Sequence, residues 1–174
     1  MKRIEIIKGN ITQIKVDAMV NAANSQLRGG SGVNGAIHLV GGETILQECK
    51  LIRKKITLCM PGNAVITTAG NLPAKYVIHT VGPVWEGGVR NEPELLSNAY
   101  KSSLKLAVEN SVNTISFPAI STGVYGFPKK DAAKIAISTV ANFLETNDNF
   151  TKIIFVCFED EDVEIYNNQI SKMK

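Results

Sequence analysis

The chain has 174 residues, of which 44% are hydrophobic and 20% charged, and its formal net charge is +3. This composition is typical of a globular protein, and the length predicts a single domain over residues 1–174 with its own core. The small charge, without a basic run, argues against a nucleic-acid partner, and no apolar run approaches the roughly 18 residues of a membrane span. Three widely spaced cysteines indicate reduced thiols in a cytoplasmic protein without a cysteine metal site, and these are Cys49, Cys59 and Cys157.

Taken in order, the chain alternates between short apolar or β-branched runs and longer segments with helical periodicity. The predicted strands are Arg3–Lys8, Asp17–Ala22, Ala64–Thr68, Tyr76–Val81, Thr114–Phe117 and Lys152–Phe158. The predicted helices are Asn34–Val40, Glu43–Lys55, Glu92–Glu109, Lys130–Glu145 and Asp162–Met173. This alternation predicts an α/β protein with helices on both faces of a sheet, although periodicity does not give the strand order.

Two loops that follow predicted strands have unusual sequences, and they span residues 24–35 and 121–127. In open α/β sheets, ligands bind outside the carboxyl ends of the strands. We therefore expect both loops to face one crevice.

The first of these loops lies within the segment VNAANSQLRGGSGVNGAIHLVGG. Its turn contains four glycines, which are Gly29, Gly30, Gly32 and Gly35. A glycine-rich turn before a helix start directs several backbone N–H groups at one point, where the helix dipole favours an anion. The alternative is a turn that only connects strand and helix. Two amides before the turn, Asn21 and Asn24, favour a ligand because they suit hydrogen bonding to sugar hydroxyls.

The second loop, Ser121–Gly126, offers successive backbone N–H groups and two hydroxyls beside a flexible turn. Such nests of N–H groups bind anions. A plain connection between strand and helix is the alternative. The segment after the first loop contains neither a Walker lysine nor the G-x-G-x-x-G spacing, so neither usual nucleotide signature is present.

The segment NAANSQLRGGSGVNGAIH resembles the ADP-ribose-binding loop of macrodomains, and in particular the bacterial MacroD-type group that hydrolyses O-acetyl-ADP-ribose. Three further segments match in the family's order: GNIT at Gly9–Thr12, HTVGPVW at His79–Trp85 and FPAISTGVYGFP at Phe117–Pro128. Together the four motifs extend over nearly the whole chain. The resemblance implies a three-layer α/β/α macrodomain fold with a central mixed β-sheet, and it implies no metal and no cofactor.

The resemblance also implies which residues would contact the diphosphate and the distal ribose of the ligand. The diphosphate would lie between two sets of residues: Gly30, Ser31, Gly32 and Val33 on one side, and Ser121, Thr122, Gly123 and Val124 on the other. Asn24 would bind the distal ribose, and Tyr125 would lie along it. For Asn24, simple capping of the turn is the alternative.

The adenine would be bound by the GNIT motif and by the end of the last strand. Asn10 stands where the family usually has Asp, and its amide oxygen would accept from the exocyclic amine without charge assistance. Ile11 would supply a backbone N–H to the same ring. Phe158 would stack on the base, although a buried core position is the alternative for this side chain.

Asn34 is the main departure from the family pattern, which reads GVDGAIH in MacroD-type enzymes. The usual Asp orients or deprotonates the attacking water, whereas an amide can hold a water but cannot act as a general base. Loss of a positioned base typically costs about 10²–10⁴-fold in rate. Activity would survive in part if the substrate phosphate activates the water. Two further departures are Ser31 in place of Gly and Leu39 in place of Arg.

Two other groups of residues invite a functional interpretation that the sequence does not favour. His38 on a helix face and His79 in a strand are predicted to be core or supporting residues. The acidic run Glu159–Asp162 is predicted to be a solvated helix start, because a short acidic cluster does not form a metal cage.

The sequence therefore predicts a macrodomain that binds ADP-ribose and hydrolyses its esters, either O-acetyl-ADP-ribose or mono-ADP-ribose on acidic side chains. Asn34 and Asn24 would place the water and Tyr125 would shape the substrate. The alternative is a non-catalytic reader of ADP-ribose. The expected partners are ADP-ribose, its O-acyl esters and mono-ADP-ribosylated proteins, with no membrane or nucleic-acid partner, and the protein is predicted to be a monomer. Binding of RNA or poly(ADP-ribose) would need a basic surface.

Overall fold

A computed structural model of the protein describes residues 2–173. The strands are β1 (Ile4–Lys8), β2 (Ala18–Ala22), β3 (Ala64–Thr68), β4 (Tyr76–Thr80), β5 (Thr114–Phe117) and β6 (Lys152–Cys157). The helices are α1 (Gly32–Gly41), α2 (Glu43–Ile56), α3 (Glu92–Glu109), α4 (Lys129–Glu145) and α5 (Asp160–Lys172). A single 3₁₀ turn, Ile11–Gln13, follows β1. The strands and the five helices were predicted from the sequence, with bounds that differ by at most two residues, whereas the 3₁₀ turn was not predicted.

The six strands form one sheet in the order β1-β6-β5-β2-β4-β3. Every neighbouring pair is parallel except β3 and β4, which are antiparallel, so the sheet is mixed as predicted. In the parallel pair β2–β4, Asn21 lies opposite His79. Successive residues of a strand point to opposite faces of the sheet, so these two side chains share a face.

Each face of the sheet packs against its own helical layer. On one face, apolar residues of α1 and α2 such as Ile37 and Ile45 form a cluster with Met19 and Val77 from the strands. On the other face, α3, α4 and α5 cover a larger cluster that includes a stacked pair of rings, Phe117 and Phe155. The fold is therefore the three-layer α/β/α arrangement that the sequence predicted.

The cysteines are free thiols, and all three are buried. Burial raises the pKa of Cys49 to about 11 and that of Cys157 to about 12, which keeps both protonated near neutral pH. Among the helices of residues 2–173, none is both long enough and apolar enough to cross a lipid bilayer.

The connections from β2 and β5 leave the middle of the sheet in opposite directions. After β2, the chain forms α1 and α2 and then adds β3 and β4 on one side. After β5, it forms α4 and adds β6 on the other side. Two adjacent parallel strands whose connections diverge leave a crevice at their carboxyl ends, where open α/β sheets bind ligands. Both unusual loops start at these ends.

Candidate functional site

Two joined pockets occupy the crevice. The inner pocket has a volume of about 390 Å³ and is bounded by Asn24, Asn34, Ser121 and Tyr125 among others. The outer pocket has a volume of about 580 Å³ and extends towards β1 and β6. They share the lining residues Gly32, Val33, Pro118, Ala119 and Gly123. The two pockets therefore form one continuous cleft and meet between the two loops.

The first loop presents free backbone donors to this cleft. Helix α1 begins at Gly32, two residues earlier than predicted, and its N-cap Ser31 makes no side-chain capping bond. The first helical bond runs from Gly35 N to Ser31 O at 3.1 Å. Among the residues that the structure describes, no hydrogen bond uses the N–H groups of residues 29–34. These donors and the positive end of the helix dipole favour an anion here.

Two glycines are required by the backbone of this loop. Gly32 has φ = 59°, a left-handed conformation that other residues adopt at a cost. At Gly35, a Cβ atom would collide with the carbonyl group of Gly30. The loop therefore packs directly on the first turn of α1, which keeps its N–H groups next to those of the helix.

The second loop presents a matching set of donors from the opposite side. Gly126 N donates to Gly123 O at 3.0 Å and Phe127 N donates to Ser121 O at 2.9 Å, which closes the loop on itself. In the described chain, the N–H groups of residues 122–125 have no hydrogen-bond acceptor. Ser121 has φ = 66°, a strained conformation for a non-glycine residue that the bond from buried Phe127 maintains.

Asn24 and Tyr125 both line the inner pocket. The structure thus brings together the two residues that were expected to contact the distal ribose. Asn24 is half-buried, and its side chain is bonded to the backbone of its own loop: Oδ1 accepts from Arg28 N at 3.1 Å and Nδ2 donates to Arg28 O at 2.9 Å. Tyr125 is half-buried, and its carbonyl oxygen accepts from Trp85 N at 2.8 Å. The HTVGPVW segment therefore supports the second loop from behind.

Asn34 lines the inner pocket, but its two polar atoms are already engaged within the protein. Its Oδ1 accepts from Asn21 Nδ2 at 2.9 Å and its Nδ2 donates to Arg28 O at 2.8 Å. The second lone pair of Oδ1 and the second hydrogen of Nδ2 remain to hold a water molecule, and of the two only the lone pair can accept a hydrogen bond from it. The expectation that Asn21 binds sugar hydroxyls is wrong, because this side chain is 0% exposed and is bonded to Asn34 and His79.

In the outer pocket, Asn10 presents a donor where the sequence led us to expect an acceptor. Its Oδ1 accepts from both Thr12 N at 3.0 Å and Thr12 Oγ1 at 2.7 Å. A carbonyl oxygen has two lone pairs, and the N–H group can only donate, so these bonds fix the orientation of the amide. The predicted role of the Asn10 oxygen as acceptor for an adenine amine is corrected accordingly. The polar atom left free is Nδ2.

The other predicted residues of the base end also line the outer pocket, where Ile11 is buried beside Val156. Phe158 follows the end of β6 and is 78% exposed, so the alternative of a core position is wrong. An exposed ring at the rim of a pocket suits stacking on a planar ligand.

The sequence analysis missed Lys129, which lines the same pocket. Its ammonium group lies 3.0 Å from Glu159, 2.9 Å from Glu161 and 2.9 Å from Asp162. Hydrogen bonds to Glu161, Asp162 and Glu159 raise the pKa of Lys129 above its usual value. The acidic run thus surrounds a lysine at the point where these carboxylates could otherwise share a cation. The sequence did contain a signal for this contact. A lysine stands at the start of the helix after β5, and acidic residues stand at the start of the helix after β6.

His79 is a buried supporting residue, as predicted, while His38 is buried with an unpaired nitrogen. His79 Nε2 lies 2.9 Å from Thr67 Oγ1, and its Nδ1 lies 3.1 Å from Asn21 Nδ2. Burial, together with nearby His38, lowers the pKa of His79 to about 3, so this ring is neutral. Burial also lowers the pKa of His38, whose Nδ1 has no hydrogen-bond partner among the described residues.

Comparison with known proteins shows which family the chain belongs to. A sequence model of the Macro domain matches residues 20–136. The chain belongs to the macrodomain family. This macrodomain is 52% identical over 170 residues to an O-acetyl-ADP-ribose deacetylase from Escherichia fergusonii, covering 98% of this chain and 96% of that protein. It is 54% identical over 172 residues to a macro domain-containing protein from Caldanaerobacter subterraneus, covering 99% of this chain and 98% of that one.

Solved macrodomain structures are similar over the same length. The Oceanobacillus iheyensis macrodomain with ADP has a TM-score of 0.92 and 39% identity, covering 98% of this chain and 90% of that one. The Trypanosoma brucei macrodomain in complex with ADP-ribose has a TM-score of 0.84 and 38% identity, covering 97% of this chain and 69% of that one. The family resemblance and the fold predicted from the sequence motifs are confirmed.

Proposed function

We propose that this macrodomain binds ADP-ribose in its cleft and hydrolyses O-acyl esters of the distal ribose. The observation that carries the proposal is the pair of loops, residues 29–34 and 122–125, whose unpaired N–H groups line the cleft from both sides. A single ligand with an extended anionic centre would satisfy both sets of donors at once. The relatives named as O-acetyl-ADP-ribose deacetylases, and the neighbour solved with ADP-ribose, support this ligand.

We propose one orientation of the ligand from the residues that line each pocket. The diphosphate would lie where the two pockets meet, between Gly30–Val33 and Ser121–Val124. The distal ribose would enter the inner pocket beside Asn24 and Tyr125. The adenine would lie in the outer pocket against apolar Ile11 and the exposed ring of Phe158, which offers a face for stacking.

The reaction in this proposal is ester hydrolysis. A water molecule adds to the acyl carbon, the bond from that carbon to the ribose oxygen breaks, and a proton from the water ends on that oxygen. The products are ADP-ribose and a carboxylic acid. The N–H donors that hold the diphosphate would fix the position of the ester relative to the water, and such positioning lowers the barrier.

Asn34 determines how fast this reaction proceeds. Its free lone pair on Oδ1 can accept a hydrogen bond from the water and so orient it, but the amide does not take up the proton. The substrate's own diphosphate, which would be bound between the loops, would then take up the proton. We therefore propose a slow hydrolase in which the protein supplies orientation and electrostatic stabilisation.

A non-catalytic reader of ADP-ribose is the second candidate function. It is favoured by one observation: both polar atoms of Asn34 are bonded within the protein, so the side chain also serves to hold the loop. Binding alone needs the two sets of N–H donors and no activated water.

The inner pocket also bears on which other substrates the protein could accept. We propose that mono-ADP-ribosylated proteins are further substrates, because the distal ribose would lie in a pocket that is open to solvent. A monomer in the cytoplasm is the proposed form, with three reduced cysteines in keeping with that compartment.

ADP-ribose should bind with a micromolar dissociation constant, about −8 kcal/mol, and AMP should bind far more weakly. AMP carries one phosphate and would leave one set of N–H donors without a partner. Isothermal titration calorimetry with both ligands measures the difference. Equal affinities would contradict the assignment of the two loops to a diphosphate.

Gly123→Val should reduce ADP-ribose binding at least about a hundredfold without changing the melting temperature. The position has no positive φ and a Cβ there meets no atom within 4 Å, so the free protein accommodates the side chain while the phosphate does not. Gly123→Ala is the graded control and should lose less. Gly32 is a poorer test site, since its positive φ strains the backbone of any variant. Normal binding by Gly123→Val would remove this loop from the site.

Asn10→Asp should tighten ADP-ribose binding by about 0.5–1.5 kcal/mol. One carboxylate oxygen keeps both bonds from Thr12, and the other replaces the outward Nδ2 with an acceptor for the adenine amine. The hypoxanthine analogue of ADP-ribose lacks that amine and is the matched control. A gain of the same size with the analogue would show that the new charge acts at a distance and not on the amine.

Asn34→Asp should raise the turnover of O-acetyl-ADP-ribose about tenfold to thousandfold, because it adds a general base beside the water. The pH profile should gain an acidic limb as the new carboxylate protonates. Affinity for ADP-ribose should fall, since a carboxylate cannot donate to Arg28 O. Steady-state kinetics and calorimetry measure the two effects separately.

Asn24→Asp is the control for this experiment, because it adds the same charge and removes the other side-chain donor to Arg28 O. It should lose affinity without any gain in turnover. An unchanged rate in Asn34→Asp would show that the substrate already activates the water. No turnover in either the parent or the Asn34→Asp protein would favour the reader.

A further inference from the structure

A chain of hydrogen bonds crosses the interior from β3 to the first loop, and its direction is fixed at the β3 end. Thr67 Oγ1 donates to Thr68 O at 2.8 Å, and a carbonyl oxygen can only accept. Because a hydroxyl has one hydrogen, Thr67 Oγ1 must act as an acceptor towards His79 Nε2, which lies 2.9 Å away. The proton of the neutral imidazole is therefore on Nε2.

The tautomer of His79 then determines the orientation of Asn21. With the proton on Nε2, Nδ1 can only accept, and it lies 3.1 Å from Asn21 Nδ2. The second hydrogen of this NH₂ group points to Asn34 Oδ1 at 2.9 Å. Asn21, 0% exposed, is thus a double donor between two acceptors. Its own Oδ1 has no partner among the described residues, so Thr67, His79 and Asn34 alone fix the side chain.

The orientation of Asn21 determines in turn which atom of Asn34 faces the loop. Since Asn34 Oδ1 accepts from Asn21, its Nδ2 is turned to Arg28 O at 2.8 Å. Asn24 Nδ2 donates to the same carbonyl oxygen at 2.9 Å. Two amide donors therefore hold the Arg28 carbonyl, one residue before the N–H groups that line the cleft.

We propose that Thr67 and His79 are positioning residues of the ligand site, because they set the polarity of the chain Thr67–His79–Asn21–Asn34 that ends on the carbonyl of Arg28. The inference rests on the proposed function for the identity of the ligand, but the polarity of the chain belongs to the free protein. Neither positioning residue lines the cleft, so their effect on ligand binding is transmitted through Asn21 and Asn34.

The polarity of this hydrogen-bond chain matters because the opposite polarity would exchange donor and acceptor at every step. If the proton of His79 moved to Nδ1, Asn21 would have to turn its oxygen to the ring, and Asn34 would have to turn its NH₂ group to Asn21. The oxygen of Asn34 would then face the oxygen of Arg28, and the loop would lose one of its two donors. The Arg28 carbonyl would then keep only the donor from Asn24 and would face a second oxygen, so the loop would be held less firmly in its position.

Other groups near the imidazole do not set this polarity. Cys49 Sγ lies 3.9 Å from His79 Nε2 and is a weak hydrogen-bonding group, so it is compatible with either tautomer. The His38 ring lies 5.9 Å from the His79 ring between centroids, too far for a direct hydrogen bond. Thr67 is the group that distinguishes the two ring nitrogens.

The first measurement is the ¹⁵N spectrum of the histidine side chains in the free protein, assigned with a His38→Gln variant. We expect His79 to be the neutral tautomer with the proton on Nε2, across the pH range in which the protein stays folded. A proton on Nδ1, or a rapidly exchanging mixture, would overturn the proposal without any variant or ligand.

The second measurement is a set of matched variants titrated with ADP-ribose. Thr67→Val removes the hydroxyl with almost no change in shape, so His79 should become a mixture of tautomers and ADP-ribose affinity should fall about tenfold. Thr67→Ser keeps the hydroxyl and should restore both the tautomer and the affinity. Thr80→Val is the control for a lost buried hydroxyl. The single hydroxyl hydrogen of Thr80 is shared between Asn63 O at 2.9 Å and Ala99 O at 3.2 Å, and neither acceptor belongs to this hydrogen-bond chain.

The outcomes separate the two proposals. Thr80→Val should retain both the parent tautomer and the parent affinity, whatever stability it loses. Equal losses of affinity in Thr67→Val and Thr80→Val, or an unchanged tautomer in Thr67→Val, would overturn the positioning role. If the parent protein did not bind ADP-ribose at all, the proposed function would fail, while the ¹⁵N spectra would still decide the polarity of the chain.

Discussion

The carboxyl ends of β2 and β5 lie side by side, and the site depends on this adjacency. The strands are parallel neighbours, and the chain leaves them towards opposite edges of the sheet. A gap between the diverging connections follows from this topology, and the two loops with unpaired N–H groups form its walls. Because each loop closes on its own backbone or on the adjacent helix, the donors are in place before a ligand arrives.

The polar side chains beneath the site occupy a face of the sheet that is otherwise apolar. Asn21 and His79 share this face with Met19 and Val77, because the side chains of a strand alternate between faces. Burying such groups is unfavourable unless they are hydrogen-bonded, so their bonds must be specific and directional. Because each buried group must keep its hydrogen bond, the orientation of one side chain in the sheet determines the orientation of the next, as far as the loop.

Two amides stand where the family usually has carboxylates, and the structure gives them different consequences. At Asn10 the oxygen points to Thr12, so the polar atom that remains free at the outer pocket is a donor. At Asn34 the nitrogen points to the Arg28 carbonyl, so the departure changes what holds the loop. An Asp-to-Asn change is therefore an exchange of an acceptor for a donor, and the neighbours decide which atom is exchanged.

The sequence by itself determined the order and nearly the bounds of the strands and helices, because hydrophobic periodicity and turn residues are local signals. It also identified the two loops, whose glycines and amides are contiguous in the chain. Only the tertiary structure decided that Asn21 is buried under Asn34, that the oxygen of Asn10 is already bonded, and that Lys129 lies among the acids of α5. These facts depend on the register of the strands and on which neighbours donate to each side-chain oxygen. Contacts between residues that are distant in sequence determine the register and the neighbours, so local sequence patterns do not reveal them.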